Sequence, residues 1–134
     1  MIVVADSGPL HYLILLDQIA LRHRFYGQVV IPDAVANELR AAGSPATVSG
    51  WMARPPEWVA VTPVSHEQVE SVTDDLDLGE RAAIALAGAI RADLLLMDDA
   101  AGRMEARRRN LRVAGTLGDS RRRRIRPPGA RRLR

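Results

Sequence analysis

The sequence predicts an α/β domain with a central parallel sheet and helices on both faces. Short, continuous apolar runs at Ile2 to Ala5, Gln28 to Ile31 and Leu94 to Met97 read as strands buried on both sides. Helical patterns separate them, so strand and helix alternate through residues 1–118. Two of the runs stop at acids, Asp6 and the pair Asp98-Asp99. Parallel strands would bring those carboxylates to one sheet edge, the edge at which open α/β sheets bind ligands.

After the first strand, Ser7 is placed to cap a helix and Pro9 to sit in its first turn, with Leu10, Leu13, Ile14 and Leu16 as its apolar stripe. Asp17 offers a second cap, and Ile19, Leu21 and Phe25 continue the pattern to Gly27, giving a helical hairpin. The second strand closes at Pro32, and a helix from Asp33 to Ala42 sets Glu38 beside its apolar stripe. Residues 44–56 read as a loop or short helix around Trp51 and Met52. Val59 to Val61 reads as an edge strand between proline-bearing turns, and Ser65 to Val72 as a short polar helix. The acidic run Asp74 to Glu80 enters a long helix, in which Glu80 shares a face with Ile84, Ala87 and Ile90. A helix from about Ala100 to Arg109 and a last strand, Leu111 to Ala114, follow the Asp98 strand.

Composition excludes several chemistries. The 134 residues contain no cysteine, so there is no disulfide framework, thiolate metal site or cysteine nucleophile. They contain no lysine either, which removes lysine-dependent mechanisms, the receiver-domain arrangement among them. No P-loop, G-x-G-x-x-G or G-x-S-x-G is present. His11, His23 and His66 lack metal-ligand spacing. No run is long enough to span a membrane and the start lacks a signal peptide's basic flank, so the expectation is a cytoplasmic protein. The net charge of +3 averages two unlike segments: residues 1–118 hold eleven of the nineteen basic residues and fifteen of the sixteen acids. The arginine-rich, proline-broken residues 119–134 are expected to be a disordered tail outside a single domain of residues 1–118.

Asp6, Glu38, Glu80 and Asp98 are the candidate site. A hard divalent cation such as Mg²⁺ or Mn²⁺ takes oxygen ligands and keeps several waters, so a few converging carboxylates suffice, and the chemistry they suit is phosphodiester hydrolysis. Each acid also has an ordinary explanation. Asp6 can cap the following helix, either Asp98 or Asp99 can do the same, and Glu38 can be a solvated helix residue. Asp77 is a cap or an auxiliary ligand. Glu80, on a face expected to pack on the sheet, needs either a cation or an arginine partner.

The stretches VVADSGPLHYLILLDQ, FYGQVVIPDAVANELR, LDLGERAAIALA and DLLLMDDAAGRMEARRRNLRVAGTLG, in that order, resemble the PIN-domain nucleases, and within them the short VapC-like toxins. The resemblance implies a Rossmann-like fold and a Mg²⁺- or Mn²⁺-dependent endoribonuclease, often a toxin neutralised by a cognate antitoxin protein. It carries metal-site roles to Asp6, Glu38, Glu80 and Asp98, with Asp99 as the neighbour that can align instead, and a supporting role to Ser7. Arg103, Arg107, Arg108 and Arg109 are candidates to hold an RNA backbone, or a solvated face. Relatives of this type continue past G-T-L-G into an apolar helix where this chain turns to arginine. Homodimerisation, which that helix bears on, is left open, and a non-catalytic PIN-like protein that acts by binding a partner or RNA is the rival expectation.

Overall fold

The structure, a computed structural model, describes residues 1–116, without the side chains of Leu21 and Arg22. The expected tail, residues 119–134, and the end of the G-T-L-G motif lie outside the described residues. Strands β1 (Ile2–Ala5), β2 (Gln28–Pro32), β3 (Val59–Thr62), β4 (Leu94–Leu96) and β5 (Val113–Ala114) form one sheet in the order β3-β2-β1-β4-β5, every pairing parallel. β1 is central. The chain builds outward from it on one side through β2 to β3, then returns to its other side with β4 and β5. The reversal falls between β1 and β4, where Val4 pairs with Leu95 and Ala5 with Leu96.

Alternating side chains of these short strands serve two cores, which is why the runs are continuously apolar. Val3, Ala5, Val29, Ile31, Leu94 and Leu96 face one side, covered by α1 (Ser7–Leu15), α3 (Asp33–Arg40) and α4 (Ala46–Ala53) through Leu10, Leu13, Val35, Leu39, Val48 and Met52. Val4, Val30, Leu95 and Met97 face the other, under α6 (Leu78–Ala89) and α7 (Ala100–Arg108), which contribute Ile84, Leu86, Ala87 and Ala106. Helices α2 (Ile19–Tyr26) and α5 (His66–Glu70) complete the elements of the described residues. Among the described residues no helix is long and apolar enough to cross a membrane.

The expected elements form, with local corrections. Within residues 44–56, read as a loop or short helix, the short helix forms as α4 (Ala46–Ala53), held by the buried Val48 and Met52. β3 is an edge strand as its prolines suggest, while β2 runs on through Pro32, whose missing N–H falls at the strand's last position. Asp17 does not cap α2. It sits at φ +55° as the left-handed residue that ends α1, where its N–H meets the Ile14 carbonyl at 3.1 Å and that of Gln18 meets Leu13 at 2.8 Å. Phe25, expected in the apolar stripe, is 74% exposed.

Candidate active site

Helix starts place Asp6, Asp77, Glu80 and Asp99. β1 ends at Ala5, and Asp6 takes the N-cap position of α1, yet its side chain makes no capping bond. It is 5% exposed, and its Oδ1 is buried without a hydrogen-bond partner among the described residues. Burial pushes this carboxyl up to about 7, against the pull of the Ser7 N–H, and the negative charges of Glu80, Asp77 and Glu38 push it further.

Glu38 reaches the same point from α3. Its carboxyl is raised by burial and by the charge of Asp77, while a hydrogen bond from the Ser7 hydroxyl favours its ionised form. A glycine makes the approach possible: a Cβ on Gly79 would stand 2.0 Å from Glu38 Oε1 and 3.5 Å from Asp6 Oδ1. The G of L-D-L-G-E thus leaves open the space that two carboxylate oxygens use.

Asp77 and Glu80 form a capping box at the start of α6. Asp77 Oδ1 accepts from the Glu80 N–H at 2.8 Å, and Glu80 Oε1 accepts from the Asp77 N–H at 3.2 Å. Glu80 therefore does not point at the sheet with Ile84 and Ala87, as its spacing suggests. The first turn of the helix folds its carboxylate back over the amino end, leaving it half-buried. Burial still raises it, the Asp77 N–H lowers it, and Asp77, Asp99 and Glu38 raise it again.

The last two acids divide. Asp99 caps α7, Oδ2 accepting from the Gly102 N–H at 2.9 Å, and its charge is felt at Glu80. The Asp98 carboxylate is held instead by Thr116, whose N–H reaches Oδ1 at 2.7 Å and whose hydroxyl lies 2.9 Å from Oδ2. Arg103 donates to the Asp98 carbonyl. Asp98 nonetheless stays at the crevice, its Oδ2 lying 4.0 Å from where a Cβ on Gly8 would stand. In sequence Thr116 stands out only as part of the G-T-L-G motif, with no local signal that it binds Asp98.

The four arginines are less available than their spacing implies. Arg103 serves Asp98, and Arg108 and Arg109 hold Glu105 at 2.7 and 2.9 Å. Arg107 is exposed and makes no ion pair among the described residues.

Asp6, Glu38, Glu80 and Asp99, with Asp77, thus gather negative charge at the reversal between β1 and β4, and among the described residues no side-chain cation is bonded to any of them. As they stand, no three of the described acids or histidines enclose an ion. The donor set nonetheless fits a hard divalent cation: all ligand atoms are carboxylate oxygens, one of them buried and unsatisfied, over a cleft that a single methyl would fill.

A family model described as a PIN domain matches residues 2–118. No curated protein matches the chain. Among solved structures, a PilT N-terminus domain protein from the hyperthermophilic archaeon Sulfolobus solfataricus P2 superposes with a TM-score of 0.60 at 18% identity, covering 86% of this chain and 87% of that one. At that identity the likeness speaks for the fold alone.

Proposed function

The chain belongs to the PIN-domain family, and from that premise we propose that it is a Mg²⁺- or Mn²⁺-dependent endoribonuclease, the toxin of a pair with a cognate antitoxin. PIN domains are generally nucleases. The observation that carries the finer reading is Asp6: a buried carboxylate with an unpartnered oxygen, facing other acids at the sheet's reversal point. A structural carboxylate at that depth would have an arginine or several N–H donors. One that is left unsatisfied is built for something that arrives.

Asp6, Glu38 and Glu80 would hold the ion, with Asp99 closing the site from the α7 side and Asp77 fixing Glu80. When bound, the ion supplies an activated water and stabilises charge on the phosphate and leaving oxygen. Ser7 aims Glu38 and opposes the rise of its pKa, since its hydroxyl bonds to the charged form. Thr116 and Arg103 fix the strand end that carries Asp98 and Asp99. The arginine set leaves Arg107 to meet the RNA backbone, with Arg108 contributing from its exposed side.

The test is incubation of a mixed pool of structured RNAs with Mn²⁺, Mg²⁺ or EDTA, comparing the natural chain with Asp6→Asn. Metal-dependent cutting that the variant loses supports the reading. The absence of a closed ligand cage among the described residues favours one second reading, a PIN-like protein that binds a partner without catalysis. A calorimetric Mn²⁺ titration showing no binding by the folded protein would select it.

A further inference from the structure

Beside the acid cluster, a groove of about 300 Å³ runs between α3, the segment leading into α5, and α6. It adjoins the site on two walls. Asn37 on α3 precedes Glu38, and Leu78 on α6 separates Asp77 from Gly79. Its floor is apolar, with Val69 buried at 7% exposure and Ala82 at 0%, while Leu78 stays 59% exposed at the rim. His66 lies at the outer lip, almost wholly exposed.

The polar groups are few and specific. Asp33 spends Oδ1 on the N–H groups of Ala34 at 2.9 Å and Val64 at 3.3 Å, and its Oδ2 has no partner among the described residues. The Asn37 side-chain amide makes no hydrogen bond to any described residue. No arginine lines the groove and its one acid is Asp33, so it repels phosphate. A flat, uncharged ring with hydrogen-bonding edges suits it. RNA-binding proteins take unstacked bases in this way, with apolar contact on the face and amide or carboxylate groups on the edge.

We propose that this groove is a nucleobase subsite that receives an adenine or cytosine from the strand lying across the acid cluster. The proposal rests on the ribonuclease reading and names the base beside the cut. Adenine and cytosine each place an exocyclic amine next to a ring nitrogen. The amine donates to Asp33 Oδ2 and the ring nitrogen accepts from the Asn37 amide. Uracil can donate to Asp33 only through its N3–H, which lies between two carbonyls, so when one of them accepts from Asn37 the other is set against the Asp33 carboxylate.

The probes are free adenosine, cytidine and uridine, titrated into the full chain without metal and followed by NMR at the Asn37 side-chain amide and the His66 ring. Adenosine or cytidine should shift both, with uridine at least about fivefold weaker. Asp33→Asn keeps an oxygen for the Ala34 and Val64 N–H groups while turning the free atom into a donor, so it should reverse the order in favour of uridine. Asn37→Ala should weaken adenosine and cytidine alike. No shift with any nucleoside, equal binding of all three, or an unchanged order in Asp33→Asn would overturn the subsite. Because these readouts need no metal, a chain that binds adenosine or cytidine but never cuts RNA sinks the ribonuclease reading and not this one. A chain that cuts without nucleoside binding does the opposite.

Discussion

Asp6 and Glu105 are both buried acids, 5% and 7% exposed, and their surroundings differ in kind. Glu105 sits on α7 with Arg108 at 2.7 Å on one oxygen and Arg109 at 2.9 Å on the other, and Arg109 also donates to the Ser71 carbonyl at 2.6 Å. Its charge is answered within its own helix and tied to the end of α5. Asp6 has an oxygen with no partner and other acids for neighbours. Depth of burial therefore does not separate a structural carboxylate from a functional one. Satisfaction does.

Replacing each acid tests that contrast, and the largest effect belongs to Asp6. Asp6→Asn should lower metal-dependent RNA cleavage on the order of 10³-fold, about 4 kcal/mol of barrier, and a gel assay against intact RNA reads it directly. The same variant should change how stability depends on pH. Because the folded-state pKa of Asp6 is pushed up to about 7, above the 3.8 of an ordinary aspartate, the folded protein holds a proton that the unfolded chain has released. The stability that this group contributes without metal is therefore fully present below pH 4 and lost as pH rises to 7, with about 4 kcal/mol as its ceiling. Glu38 and Glu80 are shifted in the same direction and add to the slope. Urea unfolding across that range should show a shallower fall in Asp6→Asn, and saturating Mn²⁺ should flatten the natural chain's profile. An Asp6→Asn protein less stable than the natural chain at pH 8 would break the contrast.

Glu105→Gln should do the reverse: leave cleavage unchanged and cost about 2 kcal/mol in chemical denaturation, the scale of hydrogen bonds to a charged group. Smaller still is Gly79→Ala. Its methyl displaces the flexible end of Glu38, so stability should hold to within about 1 kcal/mol while Mn²⁺ affinity falls about tenfold by calorimetry, a change of about 1.4 kcal/mol.

The strands and their acids were legible because a buried parallel strand leaves a continuous apolar run and has to stop somewhere, and at Asp6 and Asp98 the stop is charged. The site's interior was less so. Glu80 was misplaced because helical spacing describes where a Cα sits, whereas in the first turn the side chain answers to unpaired N–H groups. Asp98 and Asp99 look equivalent in sequence, and what divides them is the distant Thr116 on one and the Gly102 N–H on the other. Glu105 does not stand out in sequence, because its partners, three and four residues on, resemble any helical charge pair. The chemistry that depends on local rules could be read, and the part that depends on which distant segment fills a space could not.

The sheet order also bears on synthesis. β1 leaves the ribosome first but is flanked by β2 on one side and by β4 on the other, the second pairing joining Val3 to Leu94. Until residues 94–96 emerge, one edge of the central strand has nothing to pair with, and Asp6 faces a crevice with one wall. A nascent chain ending before Leu94 thus holds Asp6, Glu38 and Glu80 without the strand that completes their edge, so the carboxylates wait for a second wall until residues 94–99 have been made.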